Sequence, residues 1–227
     1  MKPQTQFSKY ATHYGKYNVI QEQVADKVLS HVKGTPQKIL DLGCGSGALV
    51  KRIGWKYQKF VGVDLAEGML QLHPKAPNII CMHGDFNDPL LYEQLLTQKF
   101  DQILSASALQ WSQDLEMVFS QLQKFNTPLS LALFTSKTFQ TLYKTASLPP
   151  LLITKEKLYE LQKRYFDLHF EVVEYRLEFA NTKEIFQYIK KSGVSGSRNV
   201  LSYKQTKQLM REYPVNYLEF EVCFLYS

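Results

Sequence analysis

Lys38-Ile39-Leu40-Asp41-Leu42-Gly43-Cys44-Gly45-Ser46-Gly47 is the stretch on which the fold turns. Residues 38–42 form the short apolar run that a buried strand needs. The glycines after it let the chain turn sharply and bring backbone close to a ligand. Residues 48–55 then read as a helix. Strand, glycine turn and helix in that order present a helix start to a bound nucleotide. The spacing here is GxGxG, not GxGxxG, and Asp41 stands just ahead of the first glycine. A carboxylate there repels a pyrophosphate but suits a cationic end, such as the ammonium of an amino acid. Both features argue against a nicotinamide dehydrogenase.

The same alternation extends outward. Residues 18–32 carry Ile20, Val24, Val28 and Leu29 at helical spacing, ended by Gly34-Thr35-Pro36. Strands are expected at 60–63, 78–82, 100–105 and 129–134, with helices at 67–72, 90–96 and 115–122 between them. Alternation of this kind gives crossover units and a mainly parallel sheet. The last third differs. Residues 139–166 contain Leu148-Pro149-Pro150 and two helical stretches, and read as a cover for a site. A strand at 170–179, a helix at 183–190 and a strand at 218–226 follow. The expectation is an α/β, Rossmann-like, seven-stranded, mostly parallel sheet with helices on both faces and a C-terminal antiparallel strand. It forms one domain: an N-terminal helical segment on the substrate side (1–33), a cofactor-binding core (37–135), a lid insertion (138–168) and the C-terminal part of the sheet (169–227).

Two further stations accompany the glycine turn. Gly62-Val63-Asp64 ends the second strand, 23 residues after Asp41. A carboxylate at that strand end can accept from both hydroxyls of a ribose. Gly84-Asp85-Phe86 follows the third strand. There Asp85 suits an adenine amino group, and Phe86 can flank the ring. Together the three stations resemble the class I methyltransferase family over roughly residues 39–134. The resemblance implies S-adenosylmethionine as cofactor and S-adenosylhomocysteine as product. It sets Asp41, Gly43, Cys44, Gly45 and Gly47 near the methionine end, Asp64 on the ribose, and Asp85 and Phe86 near adenine. Leu65, Met69, Gly84 and Ser105 complete the implied cofactor set.

A narrower resemblance reaches both ends of the chain. Phe7-Ser8-Lys9-Tyr10-Ala11-Thr12-His13-Tyr14 followed by Gln21, the strand exit Ser105-Ala106-Ser107-Ala108-Leu109-Gln110-Trp111 with Asp114-Leu115, and Tyr188-Ile189-Lys190-Lys191-Ser192-Gly193 are similar to the BioC family. These are malonyl-acyl-carrier-protein O-methyltransferases of biotin synthesis. The turn of two glycines usual before the fifth strand is Phe125-Asn126-Thr127-Pro128 here. This resemblance implies methyl transfer to the free carboxylate of a malonyl thioester on acyl carrier protein. Such a carboxylate, with a pKa of roughly 4, is ionised at neutral pH, so the reaction needs alignment and dryness rather than a general base. Tyr14, Tyr17, Gln110, Trp111 and Arg198 are the candidates for holding it, with Arg164 and Arg176 as alternative anchors.

Composition bounds the rest. The chain has 227 residues and 44% hydrophobic content, which suits a globular domain with a large core. No run of about 18 uncharged apolar residues is present, and residues 1–16 lack the apolar stretch of a secretory signal. Cys44, Cys81 and Cys223 are far apart and form no CxxC pair, and the five histidines have no metal-ligand spacing. A cytoplasmic, metal-free monomer is expected, with no membrane partner. The formal charge is +6, and residues 181–211 hold seven basic side chains against the single acid Glu184. That stretch suits an acidic partner such as acyl carrier protein. A nucleic-acid substrate is not expected, since neither a base-stacking module nor an added basic domain is evident. The competing functions are methylation of another small carboxylic acid or a quinone-type ring, and cofactor binding without catalysis.

Overall fold

A computed structural model describes residues 18–192 and 203–227. Seven strands form one sheet: β1 (Lys38–Leu42), β2 (Lys59–Asp64), β3 (Ile79–His83), β4 (Gln102–Ala106), β5 (Leu129–Phe134), β6 (His169–Glu178) and β7 (Tyr217–Tyr226). Their spatial order is β3-β2-β1-β4-β5-β7-β6. Neighbours from β3 through β5 pair in parallel, and β7 lies antiparallel between β5 and β6. The expected sheet is therefore present. Leu129–Phe134 is buried at every position, as a parallel strand covered on both faces requires.

The described helices are α1 (Val19–Ser30), α2 (Glu67–Leu70), α3 (Pro89–Leu96), α4 (Leu115–Gln123), α5 (Gln140–Thr145), α6 (Lys155–Tyr165), α7 (Thr182–Ser192) and α8 (Tyr203–Glu212). Strand alternation sends Leu40, Leu42, Val61 and Val63 to one face, where they meet Leu91 and Leu95 of α3, Phe119 of α4 and Leu158 of α6. Ile39, Phe60, Leu104 and Phe134 face the other way, against Ile20, Val24 and Val28 of α1 and Ile185 of α7. Caps follow the sequence. Asp88 accepts from Leu90 N–H with Pro89 in the first turn of α3, and Asp114 accepts from Met117 N–H at the start of α4.

At three points the structure differs from the sequence reading or adds to it. Residues 48–55 are not a regular helix. Lys51 N–H reaches Gly47 O and Ile53 N–H reaches Leu49 O, but Arg52 N–H turns back to Leu49 O, and Gly54 ends the segment after two turns. Gly47, at φ +84°, and Gly54 bracket the segment and favour turns at its two ends. Arg52 fastens the segment to α1 through Glu22 and Asp26. The segment expected as a lid is divided between core packing and cleft wall. Leu158 and Leu161 of α6 are buried in the main cluster, so within 138–168 the cleft described below is lined only by Leu151 and Leu152. Finally, α8 is a helix that apolar spacing did not reveal. No helix among the described residues is long and apolar enough to cross a membrane.

Candidate active site

In this topology β1 and β4 are adjacent while their following connections diverge, so a crevice opens at the carboxyl ends of the strands. A cleft of about 500 Å³ sits there, walled by the exits of β1, β2, β3 and β4, the start of α1, and Leu151-Leu152.

The glycine turn is held from β2. Gly43 N–H and Cys44 N–H both donate to Val63 O, at 2.8 and 3.0 Å. Gly43 has φ +77°, and a Cβ built on it falls 2.1 Å from Ala108 Cβ. The turn therefore interlocks with the exit of β4 at a point only glycine can occupy. Asp64 ties the same turn down. Its Oδ2 accepts from Gly45 N–H and its Oδ1 from Ala66 N–H, both at 2.8 Å. Burial raises the Asp64 pKa, an effect these N–H donors offset only in part. Each carboxylate oxygen keeps a further lone pair for a ligand hydroxyl.

Asp41 is 1% exposed, and its Oδ1 has no hydrogen-bond partner. Burial first, and the neighbouring Asp64 charge second, push its pKa well above the ordinary carboxylate range. A buried, unpartnered carboxyl bordering a cleft fits a ligand ammonium, which would relieve both effects. Asp85 Oδ1 accepts from Asn87 N–H and Nδ2 at 2.9 and 2.7 Å, leaving Oδ2 for a ligand donor. Asn87 Oδ1 in turn accepts from Ser112 Oγ and Gln113 N–H, which staples the exit of β3 to the exit of β4. Buried Tyr92 donates to Phe86 O at 2.7 Å and fixes that residue.

Of the residues expected to bind cofactor, Asp41, Gly43, Cys44, Gly45, Asp64, Leu65, Met69, Asp85 and Phe86 line the cleft. Gly47, Gly84 and Ser105 do not. Gly47 is packed behind the turn against Pro74, and Gly84 backs onto Leu91 and Val63. Ser105 is fully buried and donates to Leu42 O at 2.6 Å, joining β4 to β1 beneath the cleft. Burial also raises the Cys44 thiol pKa, so it packs as an apolar group rather than reacting.

Gln110 and Trp111, in a single 3-10 turn (Leu109–Trp111), also line the cleft. Tyr14, Tyr17 and Arg198 lie outside the described residues. Arg164 and Arg176 are elsewhere: Arg164 pairs with Glu116, while Arg176 pairs with Glu178 and lies over Tyr217. Sequence reasoning gave no site role to Asn18, Gln21, Asn87, Ser107, Leu151 or Leu152, all of which line the cleft. Gln21 carries a usable signal, being a polar residue in register with the apolar face Val24, Ala25 and Val28. Among the described lining residues the charged side chains are three aspartates, with no lysine, arginine or histidine.

Residues 39–128 match a family model described as a methyltransferase domain. The chain is 27% identical over 220 residues to a malonyl-[acyl-carrier protein] O-methyltransferase of Halorhodospira halophila, covering 91% of this chain and 67% of the relative. It is 26% identical over 234 residues to a protein of the same name from Bacillus cereus, covering 92% and 85%. Among solved structures it is similar to the YcgJ protein of Bacillus subtilis, at a TM-score of 0.59 and 11% identity, covering 88% of this chain and 95% of the other. It is also similar to the plantazolicin methyltransferase BpumL, solved with a pentazolic desmethylPZN analogue and S-adenosylhomocysteine, at a TM-score of 0.54 and 14% identity, covering 99% and 94%. At these identities the solved structures speak for the fold.

Proposed function

Because the chain belongs to the class I S-adenosylmethionine-dependent methyltransferases, we propose that it methylates the free carboxylate of a malonyl thioester carried on acyl carrier protein, the ester that primes biotin precursor synthesis. The observation that carries this reading is similarity to malonyl-acyl-carrier-protein O-methyltransferases across more than nine-tenths of the chain.

The described residues fit the cofactor. Asp41 would take the ammonium of the methionine end, beside Gly43 and Gly45. Asp64 would accept from the ribose hydroxyls, with Leu65 and Met69 alongside. Asp85 and Phe86 would hold adenine. Bound there, S-adenosylmethionine supplies a sulfonium-activated methyl group, which passes to a carboxylate oxygen and leaves S-adenosylhomocysteine. The protein's task is then placement and exclusion of water, worth on the order of 7–11 kcal/mol in favourable cases. Trp111, Leu151 and Leu152 supply apolar wall for this purpose. With no described cation in the cleft, the acceptor carboxylate depends on polar donors at the β4 exit and on Arg198, with Tyr14 and Tyr17 as hydroxyl donors.

The carrier protein is assigned to the face formed by α7 and α8, where Lys183, Lys190, Lys204, Lys207 and Arg211 are exposed. Reversing Lys190, Lys204 and Lys207 to Glu is expected to raise KM for malonyl carrier protein about tenfold, since exposed pairs contribute up to about 1 kcal/mol each. KM for malonyl on a short uncharged thiol arm should stay unchanged. Equal loss on both substrates would refute the docking face.

The function itself is tested by incubating the full chain with methyl-labelled cofactor and malonyl carrier protein. Mass spectrometry should show the malonyl group gaining one methylene. Label transferred instead to another small acid or a quinone-type ring would replace this reading, and cofactor binding without any turnover would reduce the protein to a binding role.

A further inference from the structure

We propose that Ser107 is the side chain that grips the acceptor carboxylate, an assignment that rests on the carboxylate-methylating function above. Ser107 follows the last residue of β4 and has φ +60°, a left-handed conformation costly for a non-glycine residue. Its backbone is held there from two sides. Its N–H donates to Ala132 O on β5 at 3.0 Å, and its carbonyl accepts from Gln110 Nε2 at 2.7 Å. The next residue, Ala108, occupies the space left open by Gly43, so Ser107 is locked against the cofactor turn.

Four side-chain oxygens on lining residues are buried without a partner: Asp41 Oδ1, Gln21 Oε1, Gln110 Oε1 and Ser107 Oγ. Strained backbone and an unsatisfied buried polar atom each mark a position kept for function, and Ser107 has both. The chemistry separates the four. Asp41 answers the cofactor's ammonium. The Gln110 amide is oriented by its bond to Ser107 O, so its free atom is an acceptor, and Gln21 also presents an amide oxygen. Both oxygens can only accept, and the Gln110 amide nitrogen is already committed to Ser107 O. With Asp41 answering the ammonium, the Ser107 hydroxyl is the one of these unpartnered oxygens that carries a proton to donate, and Ser107 lies between β4 and the Gln110-Trp111 turn in the cleft lining. An ionised acceptor gains a charge-assisted hydrogen bond there, which fixes one carboxylate oxygen and leaves the other free to attack.

The test measures turnover and S-adenosylhomocysteine affinity in the full chain. Ser107→Ala and Ser107→Gly should each lower kcat/KM for the malonyl thioester about ten- to a hundredfold, the worth of one hydrogen bond to a charged group. Ser107→Gly relieves the left-handed strain, so it should melt no lower than the parent while losing the same activity. Ser107→Asn tolerates the conformation and returns an N–H donor, so it should recover part of the loss. Affinity for S-adenosylhomocysteine should stay within about twofold in all three, because the cofactor contacts are untouched. Undiminished turnover by Ser107→Gly, or a loss that tracks cofactor affinity, would overturn the assignment alone. A parent chain that never methylates a malonyl thioester would overturn the proposed function and this assignment with it.

Discussion

Asp41→Asn is expected to weaken S-adenosylhomocysteine binding by about a hundredfold or more, the equivalent of losing about 3 kcal/mol from a broken buried charge pair. The substitution keeps the shape of a side chain that is almost completely buried, so the loss reports charge and not collapse of the cleft. Calorimetric titration of both proteins measures it. A pH dependence accompanies it. Burial and the Asp64 charge raise the Asp41 pKa, so the free protein holds a proton there at pH values where an ordinary carboxyl has lost it. A ligand ammonium favours the ionised form, so binding releases that proton, and affinity should rise with pH between the usual carboxylate range and the raised value. The same raised pKa costs stability across that window, because the unfolded chain ionises first. The Asn variant without ligand should therefore melt at or above the parent at neutral pH. Unchanged affinity in Asp41→Asn would remove Asp41 from the cofactor site.

Gly43→Ala should be the most destabilising single change in the cofactor turn. The added methyl meets Ala108 Cβ at 2.1 Å, and φ +77° disfavours any side chain. Left-handed strain of about 1–2 kcal/mol and overpacking of about 1–3 kcal/mol combine to about 3 kcal/mol. For a chain of this size that lowers Tm by about 6–12 °C. Gly34→Ala is the control, with φ +70° but nothing within 4 Å of the new methyl. It carries the strain alone, about 1–2 kcal/mol, and should lower Tm by about 2–8 °C. Thermal melts of the two variants separate the contributions. Equal shifts would mean that the Gly43–Ala108 approach relaxes freely, and the interlock between turn and β4 exit would be lost with it.

The sheet was legible because its central strands are buried on both faces, which leaves an unbroken apolar run such as residues 129–134. The acids Asp41, Asp64 and Asp85 were legible for a related reason. Asp41 interrupts the apolar run of β1 just before its end, Asp64 closes β2, and Asp85 follows β3. What failed were inferences about direction and local length. Gly47 and Ser105 share a motif with cleft residues but point behind it, and one-dimensional spacing cannot tell the two sides of a turn apart. The segment after the turn has helical composition, yet its hydrogen bonds mix i to i+3 and i to i+4 between two glycines. Ser107 and Asn87 were passed over because their importance lies in contacts between different strands and strand exits, Ser107 with Ala132 on β5 and Asn87 with Ser112 and Gln113. Arg164 and Arg176 were candidates by charge alone, and neighbouring acids engage both.

The most direct measurement is a crystal structure of the full chain with S-adenosylhomocysteine and a non-reactive malonyl thioester analogue. The amino-acid end of the nucleoside should lie against Asp41, its ribose on Asp64, adenine between Asp85 and Phe86, and the malonyl carboxylate on Ser107. A nucleoside lying the other way round, or bound outside the β1–β4 crevice, would contradict that arrangement.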